Sequence, residues 1–383
     1  MALKKSHNLR SFFARHKLVI FSVGAFSVLS FFALNTSVSS VYESIRTEEP
    51  PPPEHVRTPV PVRAIYMSSW VAGTPSIREN VLKFVNSSEA NSVVIDIKDY
   101  TGKIAVDMHD PVIEKYESTE KRIADIRELI DYFHNQHIYV IGRVAVFQDP
   151  HVAKRNPEFA VQDSRGGVWR DRKGLPFIDP AAVPYWEYTV RIARASEKVG
   201  FDEINFDYIR YPSDGPLKRA VYPFTKDRAK PDVMEDFFKY LRRELADLPV
   251  PISADVFGLV TTAEDDLGIG QVFERLAPHF DYVAPMAYPS HYDPGFEGFK
   301  NPAAHPYEIM SISMKRAIER LKIIGQDPKK LRPWIQDFDL GANYGVKEVE
   351  LQKKAIYDAG LDSWMAWDPS NKYTQEAYRR KQE

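Results

Sequence analysis

The chain contains no cysteine among its 383 residues. That excludes a disulfide scaffold, an iron–sulfur cluster, a thiolate zinc site and a cysteine nucleophile. A dominant charge is also missing, because the formal net charge is only -2. A nucleic-acid binder needs a basic surface to displace counterions, so nucleic acid is not an expected partner. Three catalytic signatures are absent as well. No G-x-G-x-x-G follows the first predicted strand, and neither a G-x-S-x-G elbow nor a P-loop occurs. Dinucleotide enzymes, elbow-type serine hydrolases and nucleotide hydrolases therefore have no support. The ten histidines never fall on adjacent strand ends with ligand spacing, and His291 and His305 share one loop as a weak metal pair. No cofactor is implied.

What the chain does have is aromatic side chains, at 13% of residues. A count that high suits aromatic-lined clefts as well as a large core. It also has one long uncharged run. Residues 1–17 carry five basic side chains and no acid, leaving -7 on the remainder. Residues 18–34 (LVIFSVGAFSVLSFFAL) then pass without a charge. At about 1.5 Å per residue this run spans most of a roughly 30 Å hydrocarbon layer, and residues 35–38 extend it. We therefore read 1–17 as a basic cytoplasmic tail and 18–38 as a transmembrane anchor, with the following chain on the extracellular side. A cleaved signal peptide is the rival; the length of the run and the lack of an A-x-A site favour the anchor. Residues 39–60 form a linker in which four consecutive prolines, 50–53, favour a semi-rigid spacer.

From residue 61 to the end at 383, short β-branched or apolar runs alternate with amphipathic ones. Strands are expected at 62–70, 92–99, 138–147, 202–210, 252–258, 282–288, 332–340 and 363–368. Helices are expected near 77–88, 122–136, 183–199, 232–247, 269–279, 307–322, 346–359 and 374–381. Ile126, Leu129, Ile130 and Phe133 show the helical period. Gly200, Gly325 and Gly360 stand where left-handed helix caps are needed. Eight βα units in this length indicate an α/β fold, a (β/α)8 TIM barrel behind an N-terminal transmembrane helix. The chemistry of such a barrel sits at the C-terminal ends of its strands. The loops after strands three, four and six are long there, which favours binding.

Alternation assigns the side chains. On strand four, Ile204 and Phe206 need the apolar helix layer, so Asn205 and Asp207 point inward. The same parity places Asp255 of strand five, Asp96 and Lys98 of strand two and Arg143 of strand three inside. Cleaving a glycosidic bond needs two carboxyl groups: one protonates the leaving oxygen, and the other attacks the anomeric carbon or activates water. Neighbouring strands lie about 5 Å apart, which suits a retaining pair made of Asp207 and Asp255. Crowding two carboxyls drives their pKa values apart and so creates an acid and a base. Asp96, Lys98, Arg143 and Asn205 would set the field around them. Tyr288, Trp334 and Trp367 stand at strand ends where sugar-stacking rings belong. Each also has a plainer use: Asp96 can simply pair with Arg143, the rings can pack the rim, and Asp337, Asp339 and Asp368 can cap turns.

Residues 62–67 (VRAIYM), 94–99 (VIDIKD), 205–212 (NFDYIRYP), 253–258 (SADVFG), 285–289 (PMAYP) and 367–369 (WDP) together resemble a bacterial family of glycoside hydrolase domains. Its members are barrels of largely unassigned substrate, and the resemblance covers about residues 61–372. The FDYIRYP run is similar to the strand-four aspartate motif of glycosidase-like barrels, where that aspartate is a catalytic carboxylate. The resemblance implies that Asp207 is the nucleophile or base and Asp255 the strand-five counterpart. Amylase-type barrels usually carry glutamate as the strand-five acid, so Glu264 in the next loop is the alternative acid. The reading that follows is a membrane-anchored glycoside hydrolase acting on an extracellular or cell-envelope polysaccharide. Its rivals are a catalytically silent barrel that binds glycan or scaffolds an envelope complex, and a hydrolase of another wall bond.

Overall fold

The computed structural model describes residues 53–380. The basic tail, the proposed anchor and linker residues 39–52 lie outside the described residues. Among the described residues no helix is long and apolar enough to cross a membrane.

Eight parallel strands close into a barrel: β1 Arg63–Met67, β2 Ser92–Lys98, β3 Tyr139–Ala145, β4 Glu203–Asp207, β5 Ile252–Phe257, β6 Tyr282–Met286, β7 Trp334–Gln336 and β8 Trp364–Trp367. Each strand pairs with its sequence neighbours, and β1 pairs with β8 to close the ring. Every predicted strand is present. Alternation divides the core as expected. Ile65, Val93, Ile95, Ile204, Phe206, Ala254 and Ile335 pack outward against the helices. Ala64, Tyr66, Val94, Ile141, Ala284, Trp334 and Met365 fill the interior. The weakest seam is β6 to β7, paired in register only at Met286 and Trp334 with an isolated bridge between Val283 and Leu331. Pro285 lies within β6 and has no N–H to give the ladder.

The outer layer holds α1 Pro75–Ser87, α2 Ile126–His134, α3 Val183–Val199, α4 Lys230–Glu244, the single turn α5 Phe273–Leu276, α6 Pro306–Ile323 and α7 Val346–Asp358. In α2 the buried residues are Ile126, Leu129, Ile130 and Phe133, the face that the 3.6-residue period marks. Gly200, Gly325 and Gly360 have φ of +119°, +68° and +85°, so all three take the left-handed conformation. Two expectations are corrected. The helix near 269–279 shrinks to α5, because Gly268 and Gly270 turn with positive φ before it and Pro278 follows. The helix near 374–381 is a short 3-10 turn, Gln375–Tyr378.

The long loops after β3 and β4 are joined. An antiparallel ribbon pairs Gln162–Asp163 with Ala220–Val221. Beneath it Val161, Trp169 and Phe177 form a small core of their own. The Trp169 indole donates to the Pro216 carbonyl at 3.1 Å, and Arg219 pairs with Asp163 at 2.6 Å. Asp179 accepts from the Phe224 and Thr225 amides at 2.7 and 3.1 Å. These two loops therefore make one folded wall beside the barrel mouth.

Candidate active site

Registers bring the inward polar residues to one level. Asp96 aligns with Arg143, Arg143 with Asn205, and Asn205 with Ser253. Asp207 and Asp255 each stand two residues further up adjacent strands. Both are buried, at 3% and 1% exposure. Arg143 joins them. Its guanidinium pairs with Asp207, with Asp96 at 2.7 Å and with Asp255 at 3.5 Å.

The two carboxyls receive different partners. Asp207 accepts from Arg143 and from the Tyr208 amide. Tyr208 has φ of +52°, a conformation uncommon for a side-chain-bearing residue, and that twist turns its N–H back to the carboxyl. Both oxygens of Asp207 accept, one from each donor, which is the pattern of an ionised carboxylate. One oxygen of Asp255, Oδ1, accepts from the Trp334 indole at 2.8 Å and from the Asn205 amide at 3.0 Å. The other, Oδ2, has no hydrogen-bond partner among the described residues. Burial first, and then the charge of Asp207, pushes the Asp255 carboxyl up to about 7; Arg143, Trp334 and Asn205 restrain that rise. One guanidinium cannot neutralise three buried carboxylates, and a bound proton relieves the excess. The free Oδ2 of Asp255 is where that proton can sit. Asp96 is also raised by burial, against the pull of Arg143 and of the Tyr66 hydroxyl, which donates to it at 2.6 Å.

Above the pair opens a cleft of about 720 Å³. Arg143, Asp207, Asp255, Tyr288, Trp334 and Trp367 line its floor and one side. The rings of Tyr288 and Trp367 lie 5.3 Å apart at 31°, and Phe338 meets Trp367 edge-on at 5.0 Å. Burial pulls the His291 imidazole down beside them. The joined loops line the cleft as well, through Lys173, Leu175 and Asp214.

Eight of the ten sequence-derived residues meet at this place: Asp96, Arg143, Asn205, Asp207, Asp255, Tyr288, Trp334 and Trp367. Trp334, however, is 2% exposed and serves as a hydrogen-bond donor to Asp255, not as an open stacking face. Lys98 is not. Its Nζ pairs with Asp149 at 2.9 Å and donates to the Ala145 carbonyl at 2.6 Å and the Tyr185 hydroxyl at 3.1 Å. The reason is a bulge: Asp96 aligns with Arg143 but Lys98 with Val144, so the extra residue flips Lys98 to the helix side. Glu264 is exposed on the loop after β5 and does not line the cleft. Asp337, Asp339 and Asp368 bind turn or loop amides. Alternation missed Tyr208 and Arg210, which follow the strand end where the pattern stops. Tyr66 was within reach of it, being inward two residues after Ala64. Among the described residues no group of three or more His, Asp or Glu side chains is arranged to hold a metal ion.

Residues 64–373 match the family described as "Putative glycosyl hydrolase domain", and the chain belongs to that family. The resemblance carried by the FDYIRYP and SADVFG runs is thereby met. Among solved structures, a hypothetical protein from Ruminiclostridium thermocellum ATCC 27405 is 32% identical, over 50% of this chain and 97% of its own, with a TM-score of 0.46. The PgaB (BpsB) glycoside hydrolase domain from Bordetella bronchiseptica is 13% identical over 85% of this chain and 100% of its own, with a TM-score of 0.60. Alpha-L-fucosidase isoenzyme 2 from Paenibacillus thiaminolyticus is 13% identical over 83% of this chain and 48% of its own, with a TM-score of 0.56. At 13% identity these last two show the barrel fold alone. No curated protein matches the chain.

Proposed function

We propose that this protein hydrolyses glycosidic bonds, with Asp255 as the general acid and Asp207 as the nucleophile or base. The observation that carries the reading is the unlike hydrogen bonding of two adjacent buried carboxyls at the foot of one cleft. Asp255 Oδ2 delivers its proton to the leaving glycosidic oxygen as the C–O bond breaks. Asp207 attacks the anomeric carbon or takes a proton from the water that does. Asn205 and Trp334 fix the Asp255 carboxyl, Arg143 orients Asp207, and Tyr66 with Asp96 holds Arg143. Tyr288 and Trp367 offer ring edges and faces to the sugar. The proposed substrate is an extracellular or cell-envelope polysaccharide, because the uncharged run at 18–38 and its basic flank support export of the barrel.

A second reading, a glycan-binding barrel without turnover, has one observation in its favour: Arg143 occupies an oxygen of Asp207 and lies 3.5 Å from Asp255. One experiment separates the two. Purified full-length protein and its Asp207→Asn variant are incubated with purified cell walls and exopolysaccharides, and products are read as reducing ends and by mass spectrometry. Hydrolysis by the wild type and a loss of about 1,000-fold or more in the variant are expected. Wild-type turnover in the variant would sink the assignment, and glycan retention with no products would favour the silent barrel.

A further inference from the structure

Arg210 lies three residues past Asp207 and lines the same cleft. It is 7% exposed. Three rings surround its guanidinium, with centroids at 4.5 Å for Phe257, 5.3 Å for Tyr208 and 5.7 Å for Phe177. Its side-chain hydrogen bond among the described residues goes from Nη1 to the Tyr211 carbonyl at 3.0 Å. It makes no ion pair there. Arg332, at 2% exposure, pairs with Glu203 at 2.6 Å. A buried charge ordinarily has such a partner, because desolvation is costly without one.

Among the described residues, the carboxylates whose charge reaches Arg210 make their hydrogen bonds with other groups. Asp207 is held by Arg143 and the Tyr208 amide. Asp171 accepts from the Lys173 and Leu175 amides at 2.9 and 2.8 Å, and Asp214 from the Arg172 amide at 3.3 Å. Asp171 and Asp214 sit at the rim and temper the local potential without touching the guanidinium. Lys173, also on the cleft wall, makes no ion pair among the described residues either. Rings hold a guanidinium plane by its faces and leave its N–H edge for planar anions, which it binds through two parallel hydrogen bonds.

We propose that Arg210 is a substrate-binding residue for an anionic substituent on the glycan, with Lys173 as the second cation at the rim. The chemistry recognised is a carboxylate, as on a uronic acid or a lactyl ether, or a phosphate or sulfate ester. The substrate is then an acidic polysaccharide whose charged group sits beside the sugar being cleaved. This rests on the hydrolase reading for its substrate but not for its binding chemistry.

The test measures anion binding without turnover. Full-length wild type, R210Q and R210K are melted in rising acetate and, separately, inorganic phosphate, each against chloride at equal ionic strength. A saturable rise of about 2 °C at ten times Kd is expected for the wild type. R210Q should lose it and R210K should keep part of it, having the charge but not the fork. Acetate alone acting points to a carboxylate substituent, and phosphate alone to an ester. The absence of a saturable rise in either anion overturns the proposal, as does an equal rise in a folded R210Q. R210K reports on the site if R210Q fails to fold, and R210K without any response then also overturns it. Saturable anion binding by a protein that releases no sugar leaves this inference standing and defeats only the hydrolase reading.

Discussion

Replacing Asp255 by asparagine keeps the shape of the side chain and copies its protonated form. The amide oxygen can still accept from Trp334 and Asn205, and the amide NH2 takes the place of the proton on Oδ2. In the wild type, folding lifts this carboxyl from 3.8 to about 7. The sign follows directly. Below about pH 4 both folded and unfolded chains hold the proton and nothing is lost. As pH rises toward 7 the unfolded chain releases it while the fold retains it, so stability falls. At about 1.4 kcal/mol per unit the ceiling is roughly 4 kcal/mol above pH 7. Burial and mutual repulsion act on Asp207 and Asp255 as a pair, so we assign about half, near 2 kcal/mol, to residue 255. For a domain of this size that is a melting difference of roughly 2 to 4 °C. Asp255→Asn should therefore gain on the wild type by that amount between pH 4.5 and pH 8. Circular dichroism melts across the range measure it. A difference between the two proteins that stays constant with pH would refute the protonation argument on which the acid assignment stands.

The same carboxyl should set the alkaline limb of activity near pH 7, and Trp334→Phe, which deletes a bond that favours the anion, should move that limb upward by about one pH unit in kcat/KM; a limb that stays in place would detach Trp334 from the acid. Lys98→Met should cost about 3 to 5 kcal/mol in urea unfolding, because Asp149 is left buried and unpaired, while KM for any substrate identified stays as it is; a changed KM with unchanged stability would return Lys98 to the cleft.

Much of the barrel was legible because the outward side of each strand must be apolar. Ile204 and Phe206 announce the helix layer, and Asn205 and Asp207 then have one direction left. The same rule fails at Lys98, where one inserted residue reverses parity and nothing in VIDIKD marks the bulge. Trp334 was read as a stacking ring because strand-end tryptophans border clefts. Its indole N–H found a buried acceptor, and that choice depends on β5 standing two strands away around the barrel, which no local pattern encodes. Helix 269–279 was overdrawn because its apolar residues outweighed Gly268, Gly270 and Pro278, whose conformational demands broke it. Arg210 falls within the expected strand on the outward parity of Ile204 and Phe206, but the strand ends at Asp207 and Arg210 stands in a loop. Its meaning comes from the ion-pair partner it lacks among the described residues.

The ribbon between Gln162–Asp163 and Ala220–Val221 bears on how specificity in this family can change. Val161, Trp169 and Phe177 on one loop are roofed by chain from the other, so neither segment is complete by itself. A transplant of either segment alone into a relative would carry an apolar underside with nothing to cover it. The two can be exchanged only together, as one cassette, and with them would travel the flank of the cleft that carries Lys173.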